Sequence, residues 1–296
     1  MNIKAYLFLT IATLFWGGNA VAGKMAVGHV SPLLLTSMRW AVALAIILAV
    51  MTPQIRRDWP KVKESWKLLM GLGVVGFTLF NVLLYTALNF TTAINVSIEQ
   101  AGIPVVIFLF NFILFRIKAS PAQMLGFTVT LIGIITTATH GNITAIGSLS
   151  LNFGDLLMLG AVLCYSVYTI MLRWKPAVHW QTLIAASAFG ALVSALPLLA
   201  FEFASGAMIA PDVTGWSVIL YTAIFPSLAS QVLYVRGVEL IGANRAGLFI
   251  NAIPIFGTLL SLLFLGEALQ TFHVVALLLV LAGIAIAERG APKRIA

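Results

Sequence analysis

Two charged side chains, Arg39 and Glu99, stand inside stretches of sequence otherwise too apolar to hold them. A charge at the centre of a bilayer costs at least ~2.5 kcal/mol, so such residues are functional candidates by default. Their apolar segments begin near Ser31 and Thr92, so they lie 39 − 31 = 8 and 99 − 92 = 7 residues in. At 1.5 Å per residue both sit roughly 10–12 Å deep. The shared depth predicts an Arg39–Glu99 ion pair that closes an outer gate or touches a zwitterionic ligand. A static structural pair, and side chains snorkelling separately to the interface, remain open beside it. In such a pair Glu99 stays ionised, which favours transport driven by the solute's own gradient over proton coupling.

Around these charges lies a set of neutral polar groups. Asn95 is one helical turn from Glu99 on the same face, with Gln100 beside it, and Asn244 and Asn251 form a comparable stripe. Asn81 and Gln231 add an amide to each half of the chain. Each amide alone is explained by interhelical bonding of ~0.6 kcal/mol; together they predict a polar cavity. Trp16 sits halfway along its segment, followed by Gly17, Gly18 and Asn19, unlike Trp59, Trp66, Trp174, Trp180 and Trp216, which fall at segment ends as interfacial belts do. With Tyr85, Tyr165, Tyr168 and Tyr234 it supplies the aromatic walls that small-molecule sites have, although each aromatic taken singly reads more readily as core than as a ligand contact.

Reactive chemistry is missing. Gly23-Lys24-Met25 lacks the spacing of a phosphate-binding loop, so ATP is not expected to drive the chain, and no hydrolase or metalloprotease signature occurs. His29, His140, His179 and His273 are scattered near segment ends, and the lone Cys164 offers neither a disulfide nor a thiolate site. No catalytic residue, metal or cofactor is expected, and the chain does not read as an enzyme.

With 61% hydrophobic and 9% charged residues and a mean hydropathy of +1.05, the elements that must position these residues belong in a bilayer. Runs of membrane-spanning length fall near 4–26, 31–51, 65–88, 92–115 and 121–139, then 153–173, 180–202, 213–235, 242–265 and 271–288. The start could pass for a secretory signal, but it corresponds to the run at 153–173 and is read as a retained first span. That correspondence is general. A shift of 150 residues pairs Pro104 with Pro254, Gly133 with Gly283 and Ala93 with Ala243. Five spans per repeat force the second copy to enter from the opposite face, as in inverted-repeat carriers. The expected fold is therefore an all-α integral membrane protein of ten transmembrane helices in two inverted five-helix repeats, 1–139 and 153–288, with an external linker 140–152 and a basic tail 289–296.

Helix breaks recur at matched depths. Pro104 and Pro254 fall mid-span, and Pro226 stands where the first repeat has Gly76. These four positions are candidate hinges beside a midplane cavity; kinks that serve packing alone are the plainer alternative. The net charge of +8 is not gathered into a nucleic-acid patch. Of 17 basic residues, all but Lys24 and Arg39, hence 15, lie at alternate connections or the termini on the same side, which places both termini in the cytoplasm.

Phe15-Trp16-Gly17-Gly18-Asn19, Arg39-Trp40, the run Ala87–Ala93 leading to Pro104, and Phe264-Leu265-Gly266-Glu267 followed by Gly283 resemble, in order and spacing, the drug/metabolite transporter superfamily and its ten-span EamA-type members, over essentially the whole chain. The first repeat departs from the pattern, with Arg116 and Ile117 where Gly266 and Glu267 stand, so Glu267 reads as a helix-end structural residue. The resemblance implies a bacterial inner-membrane exporter of amino acids, aromatic ones included, and related metabolites, working by alternating access. A broad-specificity drug or metabolite exporter is the alternative; a channel or receptor has no use for inverted halves with matched kinks. The expected partners are a small-molecule solute and the lipid bilayer, with no nucleic acid, no ATP and no implied oligomer.

Overall fold

A computed structural model describes residues 2–142 and 152–290, apart from the side chains of 243 and 244. Most of the expected linker, the tail beyond residue 290 and the Asn244 side chain lie outside the described residues.

Ten helices are long and apolar enough to span a membrane: α1 Ile3–Met25, α2 Pro32–Glu64, α3 Trp66–Ala87, α4 Ala93–Phe115, α5 Pro121–Ala138, α6 Phe153–Trp174, α7 Trp180–Ala204, α8 Val213–Ile241, α9 Arg245–Leu265 and α10 Thr271–Arg289. Their starts are set by short-range chemistry. Ser120 and Gln123 form a reciprocal capping box ahead of Pro121, Thr92 accepts the Asn95 N–H at 3.1 Å, and Asp212 accepts that of Gly215 at 2.9 Å. Beyond the spans, Asp212 is held below the usual carboxylate range by this backbone bond and by His29. α2 runs past the boundary expected near residue 51 and contains Pro53 and Pro60. Its charged extension persists because Asp58 accepts from Thr182 Oγ1 (2.7 Å) and the His179 N–H (2.9 Å), tying it to the start of α7.

Helix packing follows a twofold relation between the halves. The equivalent helices α2 and α7, α4 and α9, and α5 and α10 pack on each other, while α1 against α8 is matched by α3 against α6. A repeat rotated onto its inverted twin demands these pairings. Even the termination of α4 and α9 is shared: Arg116 (φ 55°) and Gly266 (φ 62°) are both left-handed, although one is arginine.

The backbone departs from α-helix at repeat-related places and, without a counterpart in α4, over the π-helical Ser261–Leu265 that ends α9. Val74–Leu79 in α3 and Phe225–Ala229 in α8 are π-helical, and the shift of 150 carries 74–79 onto 224–229. In α4 a 3₁₀ turn, Gln100–Gly102, precedes Pro104; in α9 a break at 251–252 precedes Pro254. Gly76 and Pro226 thus lie inside wider turns, and the two mid-span prolines follow breaks.

The chain starts and α10 finishes at one end of the bundle, here the terminal end. The opposite, far end is sealed by Ala26, Val30, Leu35, Tyr85, Leu88 and Ile219, all buried in one cluster. Only about 10 Å³ remains among Gly23, Val30, Leu35 and Tyr85, barely the space of one water. Towards the terminal end α4 and α9 diverge: the first half of α4 packs on α9, whereas its second half rests on α6 and α5. A groove of about 180 Å³ occupies this wedge, bounded by Pro104, Thr130, Asn251 and Ile284.

Candidate functional site

The expected Arg39–Glu99 ion pair does not form. α2 packs on α7, α8 and α3, whereas the first half of α4 packs on α9, α1, α5, α6 and α10, so equal depth places the two charges on different sides of the bundle. Arg39, 5% exposed, is held entirely by neutral groups. Its Nε donates to Ser227 Oγ at 2.7 Å, and its Nη1 is shared among Asn19 Oδ1 and Asn81 Oδ1, both at 2.9 Å, and the Tyr85 hydroxyl. Tyr85 in turn donates to Asn19 Oδ1 at 2.9 Å, and the guanidinium lies 5.2 Å from the Trp40 ring centre. No carboxylate pairs with it, and its Nη2 donates to no described protein group.

The wider turns build this cradle. A π-helical turn strands a carbonyl, which in a bilayer needs another donor. Asn81 donates its amide to the Phe77 carbonyl while its oxygen receives Arg39. Ser227 donates to the Thr222 carbonyl at 2.8 Å, Ser230 to that of Phe225 at 3.0 Å, and Trp16 Nε1 to that of Pro226 at 3.1 Å. Asn81, two residues beyond the irregular turn of the first repeat, and Ser227, inside that of the second, therefore each give an oxygen to the same guanidinium. Ser227 was not among the residues expected at the site; only its place one residue after Pro226 points to it.

The expected aromatic wall divides in two. Trp16 of α1 lies 5.3 Å from Tyr234 of α8, while Tyr165 and Tyr168 of α6 lie 5.3 Å apart and against Phe80 and Phe77 of α3. No ring contact joins the groups among the described residues. Both are half-buried. Gly76 leaves room for Tyr168, whose ring a Cβ there would overlap.

The remaining amides scatter. Gln100 Nε2 turns back to the Val96 carbonyl at 3.3 Å, and Asn251 donates to Glu288 at 2.6 Å in the terminal-end groove, so neither joins the Arg39 cradle. Gln231 is half-buried and has no hydrogen-bond partner among the described residues. Asn95 belongs to a far-end cluster: its oxygen accepts from His273 Nε2 at 2.9 Å and its amide donates to Asp155 at 3.3 Å. Glu99 stands apart from all of these, 0% exposed, with neither carboxyl oxygen hydrogen-bonded.

Two carboxylates link the repeats at the far end: Glu202, not among the expected site residues, and Glu267, read from the sequence as a helix-end structural residue. Glu202 of α7 accepts the Leu33 and Leu34 N–H groups at 3.2 and 3.0 Å, and Glu267 after α9 accepts those of Ala93 and Ile94 at 2.8 and 3.0 Å. Each sits on the positive N-terminus of a first-repeat helix. Lys24 completes the closure, donating to the Leu88 and Thr91 carbonyls at 2.8 Å.

Residues 3–139 and 152–288 each match the EamA-like transporter family. The chain belongs to that family. It is 23% identical over 292 residues to the transporter YyaM of Bacillus subtilis, covering 97% of this chain and 94% of the relative, and 26% identical to YetK of the same organism over 96% of this chain and 86% of the relative. A transporter of Archaeoglobus fulgidus is 24% identical over 96% of this chain and 97% of its own length. A solved crystal structure superposes over the whole of both chains with a TM-score of 0.65 at 21% identity, which establishes the shared fold. The chain is thus a multi-pass membrane transporter whose activity requires a small-molecule solute and a bilayer.

Proposed function

We propose that this transporter exports neutral amino acids, aromatic ones among them, and related carboxylate metabolites across the bacterial inner membrane by alternating access. The carrying observation is Arg39, a buried cation between the repeats with neutral acceptors on Nε and Nη1 and no protein partner on Nη2. A buried charge left uncompensated is costly, and a solute carboxylate supplies both the missing charge and the acceptors, in the planar geometry that guanidinium favours. The half-buried Trp16, Tyr165, Tyr168 and Tyr234, with Gln231, then meet the solute's side chain. A dianionic phosphate ester would ask for a second cation, and none stands beside Arg39 among the described residues.

In this reading the terminal end faces the cytoplasm, following the excess of Lys and Arg there, and the sealed far end is the outer gate. The matched irregular turns at Gly76, Pro104, Pro226 and Pro254 allow the halves to exchange openings. Counterflow of labelled phenylalanine in proteoliposomes tests the proposal. Unlabelled neutral amino acids on the trans side should accelerate uptake, and amines lacking the carboxylate should not compete. Equal competition by such amines would replace the carboxylate reading with a broad-specificity exporter.

A further inference from the structure

Freed from the ion pair, Glu99 becomes the least satisfied polar group in the described bundle. It ends the regular first half of α4, immediately before the Gln100–Gly102 turn. It is fully buried and both its oxygens lack partners. An ionised carboxylate there has no donor to compensate it, whereas a carboxylic acid asks far less of its surroundings.

The titratable groups facing this half-helix can be named element by element. From α6 comes Asp155, whose side chain is 1% exposed and accepts from Asn95, the residue one helical turn before Glu99. From the end of α5 comes His140, 48% exposed at the far end, with Nε2 3.2 Å from Asp155 Oδ2. His273 comes from α10, Lys24 from α1 and Glu267 from beyond α9. The last two are engaged with backbone groups of the Leu88–Ile94 segment. The tautomer of His273 is fixed, because its Nδ1 accepts the Gln270 N–H at 3.0 Å, so Nε2 carries the proton and donates to Asn95 Oδ1. Asn95 is thereby oriented with its amide towards Thr91, His140 and Asp155. Asp155 receives the Thr91 hydroxyl and the Asn95 amide, and its contact with His140 needs one proton, on the imidazole or on the carboxyl. From the exposed His140 inward come Asp155, then Asn95, which donates to it, and then Glu99, one helical turn deeper than Asn95 on the same face of α4.

We infer that Asp155 and Glu99 form a proton-binding pair, loaded through His140 from the far end, and that transport is coupled to that proton. Two fully buried carboxyls separated by Asn95 cannot both be ionised at low cost, so the pair holds a proton. The first half of α4 packs on α9, α1 and α10 together, so charging or neutralising the pair acts on the contact that closes the far end. The proton is neither made nor consumed; it passes between imidazole, carboxyls and solvent.

Infrared difference spectra of the full-length protein in lipid vesicles, between acidic and neutral buffer, read the pair directly and need no knowledge of the solute. A protonated-carboxyl band that titrates, disappears in Glu99→Gln and shifts in Asp155→Asn and Glu99→Asp is the expected result. A spectrum unchanged by Glu99→Gln overturns the inference, and Glu99→Asp keeps the test valid if the amide variant fails to fold. The flux arm rests on the proposed amino acid substrate. With one proton per solute, a gradient of one pH unit displaces the steady-state phenylalanine ratio about tenfold from equality, and Glu99→Gln abolishes the displacement. Wild-type flux indifferent to the gradient refutes coupling. No phenylalanine flux together with the titrating band refutes the substrate and leaves the proton pair standing.

Discussion

The two repeats have kept each other's bends and parted in chemistry. The wider turns at 74–79 and 225–229, the breaks before Pro104 and Pro254, and the left-handed ends at 116 and 266 recur after the shift of 150. The side chains at equivalent places do not recur. Arg39 corresponds to Phe189, Glu99 to Phe249, Asn19 to Thr169 and Tyr85 to Val235. Duplication therefore supplied a symmetric scaffold, and most of the distinctive polar side chains lie in the first half, with the second contributing Ser227, Asp155, Glu202 and Glu267. Inverted halves must exchange shapes to alternate access, which constrains backbone; a single solute site needs only one anchor, which leaves side chains free to diverge.

The largest test of this division is at the anchor. Arg39→Gln removes the only guanidinium in the cradle and leaves the acceptors of Asn19, Asn81 and Ser227 short of a donor. Charged hydrogen bonds are worth about 1.5–3 kcal/mol, so phenylalanine affinity should fall about 10- to 150-fold by calorimetry or counterflow competition. The repeat-equivalent Phe189→Gln, at a position 52% exposed, should leave affinity unchanged. Comparable losses at both positions would show that the chemistry is not confined to one half.

Where the repeats agree, they should respond alike. Gly133 and Gly283 lie in the α5–α10 contact, where a Cβ at 133 would come 2.8 Å from the Ala276 carbonyl oxygen and one at 283 would reach 2.5 Å from that of Gly126. Alanine at either site forces the helices apart at about 1–3 kcal/mol, read as a lowered thermal midpoint in detergent. Gly247→Ala, with nothing within 4 Å of the added carbon, is the control and should be neutral to stabilising by up to about 1 kcal/mol.

Much of the scaffold was legible in the sequence, and the partners of the charges were not. Span positions follow from apolar length, and the places of the irregular turns are marked by Gly76, Pro104, Pro226 and Pro254 read with the repeat. Depth alone, however, is one coordinate of three. Arg39 and Glu99 share it yet point to different neighbours, because helix rotation is set by packing on other spans, which no single segment encodes. Asp155, Glu202 and His273 sat near span ends, where a charge ordinarily reads as solvated. Their burial comes from helices of the other repeat. The end of α2 misled for a related reason: Pro53 signals a boundary locally, but Asp58 gains partners on α7 that carry the helix on to Glu64.

A smaller effect is expected at the far-end closure. Glu267→Gln weakens the carboxylate on the α4 N-terminus, a contact worth about 1 kcal/mol, and should raise the fraction of molecules open at that end about fivefold. Thiol labelling of Val30→Cys in a Cys164→Ser background reads the opening. Its repeat-equivalent, Ile117→Gln, should not change labelling. Glu202→Gln should act in the same direction as Glu267→Gln and add to it, since the two caps serve different helices.

The smallest effect separates two accounts of the wider turns. If Pro226 forces the irregularity in α8, replacing it should restore a regular helix. Yet α3 adopts the same turn over Val74–Leu79 with Gly76 at the matching place and no proline. The common cause is then the surrounding demand: the stranded carbonyls are taken by Asn81 in one repeat and by Ser227, Ser230 and Trp16 in the other. Pro226→Gly should therefore keep the turn and cost only about 0.5–1 kcal/mol through the freer unfolded chain, with transport within about fivefold of wild type. Gly76→Ala should do more harm despite being the milder exchange, because the new methyl meets the Tyr168 ring. A collapse of flux in Pro226→Gly with Gly76→Ala unaffected would assign the bend to proline itself and make the two repeats unlike in backbone as well as in chemistry.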